Sequence, residues 1–312
     1  MRKWIRGLSG ALLAVLAAAP VLACMAIPMR PSNDPRVQMH LTEQRALIYQ
    51  DKGEEHLVLS VKYEGATPQF AWVIPTETRP QIAVQKGAPF HELWRLTEIR
   101  RPTHAMAPAA AAGGIGSLDK AVQVVERKVE GPYELIVLRG DNGSALYEWL
   151  SRNGFGLTTD SRQALDYYAQ KGWYFACARL RPGGADNASI QKHLRDGTIA
   201  ALHLHYKATR LSYPLRVTAG NPGDSKMEIY VIGGRVQAPR MLEALQFELR
   251  PQGSQGFAVS GPPGLVSNAG DYPALRAMLA QGGTLHKFTG VMTTAERNAD
   301  LVFCDVARTV SR

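Results

Sequence analysis

The stretch Phe70–Thr76, FAWVIPT, constrains the fold more than any other part of the chain. Side chains alternate between the two faces of a strand, so Phe70, Trp72 and Ile74 point one way and Ala71 and Val73 the other. Both sets are apolar, the pattern of a central strand covered on both sides. The fold must therefore supply a layer on each face of the sheet that holds it. Pro75 cannot donate a ladder hydrogen bond, so pairing is expected to stop there and the chain to leave the sheet.

The flanking segments extend this pattern. In residues 56–63, HLVLSVKY, Leu57, Leu59, Val61 and Tyr63 share one face and Val58 and Ser60 the other. Together with residues 46–50 and with Phe70–Thr76 they are expected to form an antiparallel meander, turning at Asp51-Lys52-Gly53 and at Glu64-Gly65. Helical periodicity appears at 89–99, where Phe90, Leu93, Trp94 and Thr97 line one side, and again at 144–152, 161–171 and 272–280. Further strands are expected at 122–129, 133–139, 173–180, 199–207, 215–218, 227–232, 245–249, 284–291 and 301–306. Segment 103–117 has the Ala/Gly-rich composition of a flexible loop, and 254–270 reads as a Gly/Ser/Pro-rich connection. Helices set between runs of strands predict an α+β fold with mainly antiparallel sheets and a few packed helices.

The amino terminus sets the expected address. Arg2, Lys3 and Arg6 precede a small, apolar run from Leu8 to Ala19, then Pro20 and Val21-Leu22-Ala23. This is the pattern of a signal peptide over residues 1–23, and the run is far short of the ~20 residues of a membrane-spanning helix. Export leaves 24–312, one large α+β region or two lobes at about 24–183 and 184–312. Cys24 invites two readings: lipidation as the new amino terminus, or ordinary cleavage after Ala23. The product is expected to be periplasmic or secreted, alternatively lipid-anchored to the outer membrane, and to touch a membrane only through a lipid on Cys24. Removing the signal also removes three positive charges and lowers the net charge from +9 to +6. No Lys/Arg block accompanies that charge, which argues against a nucleic-acid partner.

An oxidising compartment permits a disulfide between any two of Cys24, Cys177 and Cys304. Cys177 and Cys304 sit in apolar, strand-like runs, where a buried inert thiol is the commoner state. Motifs for nucleophile elbows, phosphate loops, zinc proteases, C-x-x-C and calcium loops are absent, and no cofactor is indicated. One pair has metal-like spacing: His203 and His205, two apart on a strand, project from the same face. Candidates for a third ligand are His56, His193, Glu77 and Asp196. Glu77 with His91 could serve acid–base work beside the sheet. Asp141, Asn142 and Ser144 could bind an anion at a helix start, but a turn and cap is the commoner use.

Several blocks in the same order resemble the domain of unknown function 2330, a group of exported bacterial proteins. They are Tyr63-Glu64-Gly65; Phe70-Ala71-Trp72-Val73-Ile74-Pro75; the helix of 90–96; Trp149-Leu150 with Asn153-Gly154-Phe155; and Gly172-Trp173-Tyr174-Phe175. The resemblance implies an exported α+β protein and carries no activity and no catalytic residues. Three readings stay open: a binding or structural role toward an envelope component or small ligand, a hydrolase-like enzyme with a site assembled from distant residues, and metal binding at His203/His205.

Overall fold

The computed structural model describes residues 26–28, 39–65, 70–99, 122–155, 157, 159–181, 193, 196, 199–218, 224–253, 256–266, 272–279, 282–293 and 295–305. Two sheets carry most of them. Strands β2 (Met39–Asp51), β3 (Glu54–Gly65), β5 (Gln81–Val84), β9 (Leu202–Lys207), β11 (Ser225–Ile232), β12 (Glu243–Pro251), β13 (Phe257–Ser260) and β14 (Gly283–Met292) form one sheet of eight, ordered β13-β12-β14-β11-β2-β3-β9-β5. Its pairings are antiparallel except β11 with β2. Strands β1 (Ala26–Pro28), β4 (Phe70–Thr76), β8 (Tyr174–Leu180), β7 (Tyr133–Gly140) and β6 (Val122–Glu130) form a sheet of five in the order β1-β4-β8-β7-β6, all antiparallel. A short pair, β10 (Arg210–Tyr213) with β15 (Leu301–Asp305), completes the strands.

Alternation along each strand sorts side chains into four layers. Leu57, Leu59 and Val61 of the large sheet meet Trp72, Ile74, Leu135 and Val137 of the small one in a single apolar cluster between the sheets. Ala71, Val73, Ile136 and Cys177 face the other way, under helices α2 (Gly143–Arg152) and α3 (Thr159–Ala169). On the outer face of the large sheet, Leu47, Val58, Tyr230 and Phe247 pack against α1 (Pro89–Leu96) and α4 (Pro273–Met278). The order is thus helices, sheet, sheet, helices: the α+β class that the sequence pattern predicts. The eight-stranded sheet takes strands from both sides of residue 183.

Strand β4 is central, as FAWVIPT requires, but it does not continue a meander. The β2–β3 hairpin forms, and β4 then crosses into the other sheet, pairing with β1 and β8. Both faces of β4 are apolar, and only a position between two sheet-covering layers buries both. Two local readings also change. Strand β3 runs through Tyr63 and on to Gly65, so Glu64-Gly65 is not the turn. Pairing of β4 with β8 continues past Pro75 to Thr76. On its other side β1 covers only Phe70–Trp72, so the proline sits where a missing N–H costs no bond.

Elsewhere, 215–218 reads as strand but forms a 3₁₀ turn, Arg216–Thr218, and β13 lies inside the segment read as loop. Strands β5 and β10 are only four residues long, too short for alternation to reveal. The 103–117 segment lies outside the described residues. Among the described residues no helix is long and apolar enough to cross a membrane.

Candidate metal centre

The site starts from a tight hairpin. Asp51 pairs with Glu54, leaving Lys52 and Gly53 as a two-residue turn with φ of +48° and +83°. Positive φ at both positions matches the right-handed twist of the strands and locks the register. That register places Glu54 and His56 two apart on β3, on the sheet's outer face. Strand β9 lies beside it with His56 directly opposite His205, and His203 opposite Val58. Two pairs with a period of two, one on each strand, therefore converge on a single patch.

Within the patch, His56 Nδ1 lies 3.0 Å from His203 Nε2, and His205 Nδ1 lies 2.8 Å from Glu54 Oε2. Donor atoms of Glu54, His56 and His205 all fall within 4.8 Å of one another. Nitrogen–metal bonds of about 2.0–2.1 Å bring ligand atoms on one ion to roughly 3.0–3.4 Å, so small side-chain rotations close the set. The Tyr49 ring stacks on His56 at 4.7 Å and holds it in place, while His56 and His205 stack at 5.1 Å. Glu54 and His205 are about one-third exposed, which leaves a route for an ion.

The electrostatics favour neutral imidazoles. Burial, followed by the two neighbouring histidines, pushes the His203 pKa down to about 4. Burial first and then His205 also lower that of His56. Metal ligation needs the unprotonated ring, so both are ready for it at neutral pH.

A second concavity lies on the same outer face, where α1 leans over β2, β3 and β11. It has a volume of about 530 Å³ and includes Glu43, Arg45, Ser60, Lys62, Glu228 and Lys287 on its floor, with Phe90 and Trp94 on the helix wall. The Lys287 Nζ is 2.9 Å from Glu228 Oε1, and both side chains are about nine-tenths buried. Tyr230 Oη also donates to Glu228 (2.9 Å), and Lys287 donates to Thr97 Oγ1 (3.1 Å). Burial opposes ionisation of Glu228, but Lys287, the hydrogen bond from Tyr230 and the nearby Lys226 outweigh it and hold its pKa below the usual range.

A family model described as Uncharacterized protein conserved in bacteria (DUF2330) matches residues 20–283. The chain belongs to this family. No curated protein matches it. Among solved structures, the crystal structure of baculovirus P35 matches with a TM-score of 0.39 and 11% identity, over 86% of this chain and 98% of that one, a likeness too low to carry an argument.

In this DUF2330 chain the blocks that mark the resemblance are scaffold. Trp72 lies between the sheets, 1% exposed, its ring 5.9 Å from that of Tyr133. Asn153 ends α2, its Nδ2 donating to the Trp149 carbonyl at 2.8 Å. Gly154 (φ +86°) and Gly172 (φ +71°) take the left-handed conformation that stops a helix, and Trp173 leads from there into β8. Tyr63, Gly65 and Phe70 lie on β3 and β4. None of these residues belongs to the histidine patch.

The other candidates separate as follows. His56, named as a third ligand, joins His203 and His205. Glu77 does not, since its carboxylate accepts from Thr209 N and Oγ1. Nor does Glu77 pair with His91, which lies on the α1 wall of the cleft. Asp196 lines that cleft too, and the His193 carbonyl accepts from Ile199 N. Asn142 is a cap: its Oδ1 accepts from Ala145 N at 2.8 Å. Ser144 Oγ accepts from Arg162 Nε and Nη2.

Cys177 is a free thiol, buried on the helix side of the small sheet, and burial pushes its pKa up. Cys304 packs beside the cluster between the sheets, so a sheet separates the two and the Cys177–Cys304 disulfide is not formed. Cys24 lies outside the described residues. The ligand that sequence reading missed is Glu54. Its signal is the same two-residue spacing, Glu54-x-His56, which a hairpin turn at Lys52-Gly53 directs onto one face.

Proposed function

We propose that this DUF2330 protein is an exported binding protein that holds one divalent transition-metal ion through Glu54, His56 and His205, with His203 beside His56. The observation that carries this reading is the convergence of two imidazoles and a carboxylate from two neighbouring strands, with a third imidazole, His203, 3.0 Å from His56. Imidazole nitrogen suits zinc, copper and nickel, and it excludes calcium and magnesium, which take oxygen sets. Three protein donors leave a fourth position on a tetrahedral ion for water or another ligand.

The test is titration of metal-free protein, without an affinity tag of histidines, with Zn²⁺, Cu²⁺ and Ni²⁺. One equivalent is expected to bind, and at a hundredfold excess over Kd the gain is about 2.7 kcal/mol, a rise in Tm of several degrees. H56A, and the double variant H203A/H205A, should each weaken binding by roughly 100-fold or more, since loss of even an outer-shell partner costs 10–100-fold. Wild-type protein that takes up no stoichiometric metal, or a double variant that binds as well as wild type, refutes the proposal.

The leader at residues 1–23 supports export. Mass measurement of protein recovered from outside the cytoplasm should show a chain beginning at Cys24, with added lipid mass if that cysteine is acylated. A full-length chain retained in the cytoplasm would contradict it.

A further inference from the structure

The cleft under α1 plays no part in the metal reading, and the charges on its floor are matched. Lys287 Nζ lies 2.9 Å from Glu228 Oε1, while Glu43 takes Arg45 Nε at 3.2 Å and Lys226 Nζ at 3.3 Å. Arg45 and Lys62 hold further partners, and Asp196 adds an exposed carboxylate to the lining. Paired charges leave no surplus to draw an ion. They favour a neutral ligand whose groups both donate and accept. An ammonium has three donors and an ionised carboxylate about four acceptor sites, so Lys226 and Glu43 keep hydrogen-bonding capacity after pairing.

Ser60 is the observation that points to a ligand. It stands on this floor directly opposite Arg45, is 3% exposed, and its hydroxyl has no hydrogen-bond partner among the described residues. Side-chain polar groups at such depth are paired as a rule, so a hydroxyl left open on a cleft floor calls for a partner within the cleft. The wall adds a second contact of different character. Helix α1 turns Phe90 inward and leaves Trp94 49% exposed at the rim, an unusual exposure for so large an apolar side chain. The electron-rich face of an indole attracts weakly positive C–H groups, such as those on the flat side of a pyranose ring. The volume of about 530 Å³ is within the range that encloses a small molecule.

We propose that this cleft binds a neutral saccharide of one or two rings, with the C–H face of one ring on Trp94 and its hydroxyls on Ser60, Glu43 and Lys226. A sugar hydroxyl donates and accepts at once. One of a neighbouring pair therefore accepts from the Lys226 ammonium, the other donates to the Glu43 carboxylate, and a third meets Ser60. The site is separate from the metal centre, since none of Glu54, His56, His203 and His205 lines the cleft.

The experiment titrates the full chain with maltose, cellobiose, lactose and N,N′-diacetylchitobiose, followed by calorimetry and tryptophan fluorescence. Cyclohexylmethanol, which offers a similar apolar ring and a single hydroxyl, is the control. At least one disaccharide should bind at a single site about tenfold or more tighter than the control, with little dependence on salt because the ligand carries no charge. W94A should weaken that binding by about tenfold. S60A should weaken it by about fivefold without lowering Tm, since it removes a buried hydroxyl that has no partner in the fold; damage to the fold cannot mimic that combination. No disaccharide binding in the millimolar range, equal binding of cyclohexylmethanol, affinity that falls steeply with salt, or either variant binding as tightly as wild type overturns the proposal. Each of those results leaves the metal reading untouched.

Discussion

Trp72→Ala is expected to lower stability by about 3–5 kcal/mol, read as a fall in the urea midpoint at unchanged slope. Trp72 is the largest side chain between the two sheets and is 1% exposed. Its removal costs the transfer free energy of the indole and leaves a cavity that two hydrogen-bonded sheets cannot collapse to fill. The ring also backs Tyr133, whose hydroxyl donates to the Ala200 carbonyl at 2.8 Å and ties β7 to the approach to β9. Trp72→Phe keeps most of the volume and should cost well under half as much. Equal losses in both variants would show that cavity formation is not the cause.

Lys287→Met should be comparably severe, at about 3–5 kcal/mol near neutral pH, because it strands the Glu228 carboxylate at a nearly dry position. The double variant K287M/E228Q should recover most of the loss, since a matched uncharged pair carries no desolvated charge. The pH profile supplies a second check. Glu228 has its pKa depressed in the folded state, so in wild type its contribution is present above the ordinary glutamate range and is lost as pH falls through the folded value. Without Lys287, burial dominates and raises the pKa, and the sign reverses: the variant is penalised as pH rises. The gap between the two proteins should therefore narrow below about pH 5. A gap that stays constant with pH would mean that Lys287 acts through packing alone.

The candidate site was half legible. His203 and His205 stand out because a strand's period of two puts them on one face, and that holds in β9. Their partners were harder to find, since His56 is 147 positions away and could be named only as one of several candidates. Glu54 carries no signal until the Lys52-Gly53 turn is known to be two residues long. The cleft was not legible at all. Its floor comes from β2, β3, β11 and β14, and its charges look like ordinary solvated faces when each strand is read alone. In contrast, the helix read at 144–152 depends on neighbours within four residues; it forms over Gly143–Arg152, and of Asp141, Asn142 and Ser144 it is Asn142 that caps it.

Alone, the sequence determined most of the longer strands and helices, and that Phe70–Thr76 must be covered on both faces. It also determined that two histidines on β9 share a side. These follow from alternation, capping and turn chemistry, which act over a few residues. Tertiary structure decided that β4 leaves the β2–β3 hairpin for a second sheet, that β3 lies beside β9 with His56 facing His205, and that α1 covers a charged floor. Those choices are made by burial shared among elements far apart in the chain, since an apolar face on one strand does not specify which other face will cover it.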